Sequence, residues 1–217
     1  MATKATGTAA PRLSTELLEW NGRFVDDAHI ADVVMSADLS ARTCSSIELT
    51  GCRLKQTQLT GSHLRLSHIT DCTVVGSDLS GVVLEDCVLS RVEFRDCRLS
   101  GLQAAGNRFR DVAFFDCKLP GANLRMTNWE RSVFESCALI DADFYAAALP
   151  ATRFHACDLT GVELSRSIVT GSDLRGSVLA DVKGADALRD VTIGSDQIIP
   201  LALAIFGSRQ IRVDDEP

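Results

Sequence analysis

The sequence predicts an all-β solenoid, and two arithmetic patterns in it carry that prediction. Counting in fives from Leu39 to Leu179 gives 29 positions, of which 27 are Leu, Ile, Val, Phe or Trp; Cys44 and Ala104 depart. Two residues before each lies a second series, Ala37 to Ser177. There 25 of 29 residues are Ala, Cys, Ser, Thr or Val, the exceptions being Arg42, Ile47, Leu102 and Asn107. Neither a helix nor a plain strand keeps a period of five. A stack of short units does, because each unit buries its apolar face only against its neighbours. The second pattern is a spacing of twenty. It yields one unbroken column, Leu39, Leu59, Leu79, Leu99, Leu119, Leu139, Leu159 and Leu179, and another of Leu54, Val74, Phe94, Phe114, Phe134, Phe154 and Leu174. Such columns require four units per coil, so that like shapes lie over one another; a three-sided coil would scatter them. The Leu79–Leu159 and Phe94–Phe154 columns are therefore the expected core ladder.

In chain order, residues 1–12 are rich in Thr and Ala and read as a disordered tail. Residues 13–36 carry Leu13, Leu17, Leu18, Trp20, Phe24, Val25, Ile30, Val33 and Val34 in no five-residue phase. They read as an N-terminal cap, an irregular first coil whose Trp20 and Phe24 plug the open end. Residues 37–181 form the solenoid. In each unit a small residue points in, the next points out, a large apolar one points in, and two residues turn the corner. Gly61, Gly81, Gly101, Gly121 and Gly161 recur at one such corner. Leu102 and Ala104 exchange the usual sizes, which conserves volume. Asn107 falls in an inward slot, where the coil backbone is expected to satisfy its amide.

Residues 182–217 form a C-terminal cap. Val191 and Ile193 suggest a last strand, and Ser195-Asp196 an N-cap for a helix near 196–206, stopped by Gly207. Pro200 fits only its first turn. The helix is apolar nearly all round, so Ile198, Ile199, Leu201, Leu203, Ile205 and Phe206 offer more apolar surface than one coil end can cover. Ile211-Arg212-Val213 is read as a short edge and Asp214 to Pro217 as a solvated acidic tail.

The units ADLSA, SDLSG, CRLSG, ANLRM, ADFYA, CDLTG and SDLRG resemble the repeat of the pentapeptide-repeat family. The resemblance covers about two thirds of the chain in one unbroken phase. It implies a right-handed, quadrilateral parallel β-helix. It also implies a homodimer joined end to end through the C-terminal helix, as in several members. Stand-alone bacterial members of about this size include quinolone-resistance proteins that mimic DNA and bind DNA gyrase and topoisomerase IV. The resemblance thus implies a non-enzymatic, gyrase-binding rod. A scaffold for an unassigned protein partner is the alternative.

Composition bears on that choice. The 217 residues carry a net charge of −7, which disfavours direct nucleic-acid binding. Acidic candidates for a recognised surface are Asp71, Asp78, Glu85, Asp86, Asp96, Asp111, Asp116, Asp141 and Asp143. Against a continuous acidic stripe, the column Asp71, Arg91, Asp111, Arg131 alternates in sign, and Arg91, Arg95 and Arg98 alternate with Glu93 and Asp96. Val83, Val88, Phe115, Met126, Ile140 and Tyr145 are outward apolar residues that favour a scaffold.

Seven of the eight cysteines occupy small inward slots and the eighth, Cys44, a large one. They act as compact apolar filler, with no ligand spacing for zinc. Eight unpaired thiols and an N-terminus without an apolar core region predict a cytoplasmic protein with no membrane span. His29, His63, His68 and His155 are scattered, no phosphate loop follows a strand, and a filled channel leaves no pocket. No enzymatic activity, cofactor or metal is expected.

Overall fold

The computed structural model describes residues 7–211. Its strands are short, most of them three residues long, and every pairing is parallel. Register within the repeat is twenty residues: Val88 pairs with Arg108, Phe94 with Phe114, and Phe134 with Phe154. Four ladders result, one per wall. Wall 1 stacks Asp38, Gln58, Asp78, Arg98, Lys118, Ala138, Asp158 and Val178. Wall 2 runs from Thr43 through His63 and Val83 to Lys183, wall 3 from Glu48 through His68 and Val88 to Ile168, and wall 4 from Arg53 through Thr73 and Glu93 to Asp173. The chain is thus a four-sided parallel β-helix. Where the corner between walls 3 and 4 stays in ladder register, the strands lengthen to eight residues: His68–Val75, Val88–Arg95 and Arg108–Phe115.

Alternation puts both apolar series inside. Leu79, Leu99, Leu119, Leu139 and Leu159 are all buried, as are Phe94, Phe114, Phe134 and Phe154. The phenylalanine rings stack nearly parallel at 4.7, 4.8 and 5.0 Å between centroids, the offset arrangement that ring quadrupoles favour. Phe109 stacks on Trp129 in wall 3, and the Trp129 indole N–H donates to Thr127 Oγ1 at 2.7 Å. Leu102 and Ala104 both point inward and are buried despite their exchanged sizes.

Corners take one of two forms. In the first, a hydrogen bond closes a β-turn, as from Ser62 N–H to the Leu59 carbonyl around Gly61 at φ 65°. A positive φ at that third position is what a type II turn requires. In the second, the freed N–H is received from the coil above. Ser77 Oγ accepts the Thr57 N–H and Ser177 Oγ the Cys157 N–H, while the Thr152 N–H is shared between the Leu149 carbonyl and Ser172 Oγ. Asn107 is the amide version, accepting the Cys87 N–H while donating to the Leu84 carbonyl. At these positions Ser77, Ser172, Ser177 and Asn107 are cross-links between coils that satisfy a buried donor, whereas Thr127 and Ser167 bond back within their own coil.

Both ends depart from the regular phase. The N-terminal coil pairs Ile30 with Leu49 and Met35 with Leu54, a spacing of 19, which hides it from a five-residue count. Phe24 is buried there while Trp20 is half-buried. At the other end Thr192 bridges Asp173 in place of a strand. Gln197 fills the next small slot above Ser177, donates to the Leu174 carbonyl at 2.7 Å and accepts the Gly194 N–H. The helix α1, Ile198–Ser208, begins two residues later than the sequence suggests, after a 3-10 turn at Ser195–Gln197. It also runs past Gly207. The left-handed residue is Gln210, and the Ile211 N–H to Phe206 carbonyl and Gln210 N–H to Gly207 carbonyl bonds close a Schellman motif. The edge expected at Ile211–Val213 and the acidic tail fall largely or wholly outside the described residues.

Candidate interaction surfaces

The inside of the β-helix is packed with apolar side chains and thiols. All eight thiols are free and buried. Burial pushes the Cys87 thiol up, away from the reactive thiolate. Cys87, Cys97, Cys137 and Cys157 each point S–H at a carbonyl of the coil below. Among the described residues no three His, Cys, Asp or Glu side chains gather in a way that could hold a metal ion. His29 and His63 meet Glu48 and Glu85 at 2.9 and 3.1 Å on the exposed surface. What the molecule has to offer lies outside.

The corner between walls 3 and 4 carries two forked ion pairs. Asp71, Arg91, Asp111 and Arg131 stack there, all at φ between 52° and 54°. Arg91 grips Asp71 with two parallel bonds of 2.6 and 2.7 Å, and Arg131 grips Asp111 with two of 2.7 Å. Such forked pairs are the strong ones. Each guanidinium holds its carboxyl below the usual carboxylate range. The alternating column is thus two discrete ion pairs. Asp71 and Asp111 are also buried, which removes both from the acidic surface expected of them: a carboxylate sheathed by arginine presents no free charge.

The remaining acids divide. Asp143 meets Arg125 at 2.8 Å, Glu85 meets His63 and Arg65, and Asp78 turns in to receive the Ser80 N–H. Asp141 is exposed, 3.8 Å from Lys183. Asp86, Asp96 and Asp116 are exposed at corners, the last two vertically adjacent. The column containing them continues as Gly76 below and Ser136 above, so it makes an acidic pair and no stripe.

Apolar surface concentrates elsewhere. On α1, Ile199, Leu203 and Phe206 share one face and are exposed at 72%, 62% and 36%, with Ile198 exposed beside them. Leu201 is the exception to the interface set read from the sequence. It turns onto the coil end and is buried, because a helix laid on a core must turn one side in; Ile205 is half-buried. A hollow of about 630 Å³ separates α1 from the last coil, lined by Val182, Lys183, Ile199, Pro200, Leu203 and Gly207 among others. Of the scattered outward apolar residues, Met126 and Ile140 are exposed and Val83, Val88 and Tyr145 half-buried. Phe115 is buried, with the Arg95 guanidinium 4.1 Å over its ring.

The largest departure from expectation concerns the N-terminus. The described part of the tail, residues 7–12, lies against the rod. The Ala9 N–H donates to Asp111 Oδ1 at 3.0 Å and the Arg12 N–H to Asp71 Oδ1 at 2.9 Å. Residues 1–6 fall outside the described residues. Nothing in the local sequence announces this docking, since the partners lie 102 and 59 residues away.

Comparison with known proteins agrees with the geometry. The model described as "Pentapeptide repeat region" matches residues 47–124 and that described as "Pentapeptide repeats (8 copies)" residues 137–176, together more than half of the chain. No curated relative matches the sequence. Among solved structures, a trypsin-treated variant of QnrB1, a plasmid-mediated fluoroquinolone resistance protein, is 18% identical over 88% of this chain and 99% of that one, with a TM-score of 0.39. HetL, involved in heterocyst differentiation regulation in Nostoc sp. strain PCC 7120, is 16% identical over 79% and 90%, with a TM-score of 0.31. A thylakoid-lumen protein from Arabidopsis thaliana is 20% identical over 46% and 74%, with a TM-score of 0.37. Likenesses this distant carry no argument about partners. The five-residue phase, the four ladders and the family matches together make this chain a member of the pentapeptide-repeat family.

Proposed function

We propose that this chain is a non-enzymatic interaction rod that pairs end to end with a second copy through α1 and presents its walls to a protein partner. The observation that carries the reading is the apolar face of Ile199, Leu203 and Phe206, left in solvent together on one helix at one end of the rod. Clustered exposed apolar surface of this kind marks an interface. A helix at a rod's end meets its copy by a two-fold axis, which closes the assembly. The channel is filled by packed side chains, which fits binding by the outer surface. Leu203→Asp should convert the dimer to a monomer in light scattering, with mass falling by about half; a wild-type monomer at tens of micromolar would overturn the pairing.

A DNA-mimicking role toward DNA gyrase or topoisomerase IV is the more specific reading. Net charge of −7 and the exposed Asp96 and Asp116 favour it. A basic DNA-binding surface wants a run of unpaired negative charge, and Asp71, Asp111 and Asp143 are ion-paired. The scaffold reading therefore takes precedence. A supercoiling assay with purified gyrase, with and without a fluoroquinolone, separates the two. Inhibition or protection at micromolar protein supports the mimic, and neither effect leaves the scaffold.

A further inference from the structure

We propose that the corner carrying Asp71, Arg91, Asp111 and Arg131, with the apolar outer row of wall 4 beside it, is a docking track for an extended polypeptide segment. At rest the chain's own residues 7–12 occupy it, and an extended, acid-free segment of a partner protein displaces them. The inference is independent of the pairing through α1.

Three observations lead there. First, the track reads main chain. Asp111 Oδ1 and Asp71 Oδ1 each accept a backbone N–H, from Ala9 and Arg12, while the same carboxylates are clamped by Arg131 and Arg91 from the next coil. The arginines fix the orientation of each carboxylate and leave a lone pair facing outward. Second, the spacings agree. Ala9 and Arg12 are three residues apart, about 10 Å of extended chain, and Asp71 and Asp111 are two coils apart, also about 10 Å. The segment therefore runs across the strands and against the direction in which the coils are stacked, as no regular strand of the fold does.

Third, wall 4 has an apolar outer surface that is covered. Ala113, Phe115 and Val133 form a small buried cluster of their own, separate from the channel core. Alternation points them outward, where the corresponding residues of wall 1 are half-buried or exposed. Gly7 lines a hollow of about 430 Å³ together with Arg131, Val133 and Ala151, which places the docked segment at this wall. The segment is suited to its track. Residues 7–15, Gly-Thr-Ala-Ala-Pro-Arg-Leu-Ser-Thr, contain no acid to meet the carboxylates, and Pro11 favours an extended backbone. The described polar hold between residues 9–12 and the rod is two backbone-to-carboxylate bonds, a contact that a competing segment of the same chemistry can replace. Main-chain bonding for affinity with apolar contacts for selectivity is a recurrent way of binding extended peptides.

The test uses the full chain. Ala9→Pro with Arg12→Pro removes both N–H donors and leaves every residue of the rod unchanged; an unaltered melting temperature verifies that the rod is intact. The probe is a fluorescent synthetic peptide copying residues 7–15. It should bind the double-proline protein at least tenfold more tightly than wild type, whose track is already filled. The same peptide with proline at its two donor positions should lose at least tenfold. Equal binding to both proteins, or by both peptides, overturns the proposal. So does exchange of the Ala9 and Arg12 amide protons at free-peptide rates in the wild-type protein. Should the double-proline protein instead lose a dimer that wild type forms, with α1 untouched, the occupant is a second copy and the resting state in cis is refuted.

Discussion

Walls 1 and 4 are built on the same backbone and differ in what each side of it does. Wall 1 stacks leucines inside from Leu39 to Leu179, and on its outer row no residue from Asp38 to Val178 is buried. Wall 4 stacks phenylalanines inside, and Ala113 and Val133 on its outer row are buried as well. A pentapeptide wall needs only its inner face to fold; wall 4 has a second buried face, and that surplus is where a binding role can sit. The difference teaches that in a solenoid the inner series reports stability while outer burial reports use.

The sharpest contrast inside is expected from Phe134→Ala. It removes a fully buried ring from the middle of the stack and should cost about 3–5 kcal/mol in denaturant unfolding. A loss below about 1 kcal/mol would mean the ladder does not hold the walls together. Outside, a carboxylate placed on each wall should separate them. Ala113→Asp buries a charge next to Glu93 and should cost about 2–3 kcal/mol. Ala138→Asp, half-exposed beside Lys118, should stay within about 0.5 kcal/mol. Equal effects would erase the distinction between the two outer faces.

Acid should erase it too. The Asp71 and Asp111 carboxyls are held below their ordinary value by Arg91 and Arg131. Their ion pairs therefore add stability above the ordinary carboxylate range, and that contribution is lost as pH falls through the depressed values. The melting temperatures of wild type and an Asp71→Asn, Asp111→Asn variant should differ at neutral pH and converge in strong acid. A gap that persists undiminished would assign it to shape instead of charge. The smallest effect belongs to a corner residue of the rod. Ala156 sits at φ 51°, a conformation that costs a side chain about 1 kcal/mol. Ala156→Gly should be neutral or gain up to about 0.5 kcal/mol by thermal unfolding, the relief being offset by glycine's larger unfolded freedom.

Much of the rod is legible because its signal repeats. One misplaced residue among 29 units leaves the phase intact, so Leu102, Ala104 and Asn107 are readable as inward even though each breaks the size rule. Cys, Ser and Thr in the small slots look interchangeable by volume. The structure distinguishes them, because Ser77, Ser172 and Ser177 receive backbone N–H groups from neighbouring coils. The N-terminal coil is illegible for the opposite reason: its 19-residue spacing is out of phase with the twenty-residue register, and the regular coils that follow it do not repeat it. Glycine is the residue a corner favours, yet Arg91, Arg131, Ala146 and Leu66 all adopt positive φ. Coil closure forces the angle whatever residue is present.

By itself the sequence determined which side chains face the channel, how many walls surround it and which shapes stack on each. Those are consequences of a local alternation repeated in phase, and they need no knowledge of where the chain goes next. Only the tertiary structure decided that Asp71 and Asp111 are sheathed by arginine, that residues 7–12 lie on them, and that Leu201 turns inward while Leu203 does not. These are single contacts between distant or unrepeated segments, chosen by the shape of surfaces that exist only once the coils have stacked.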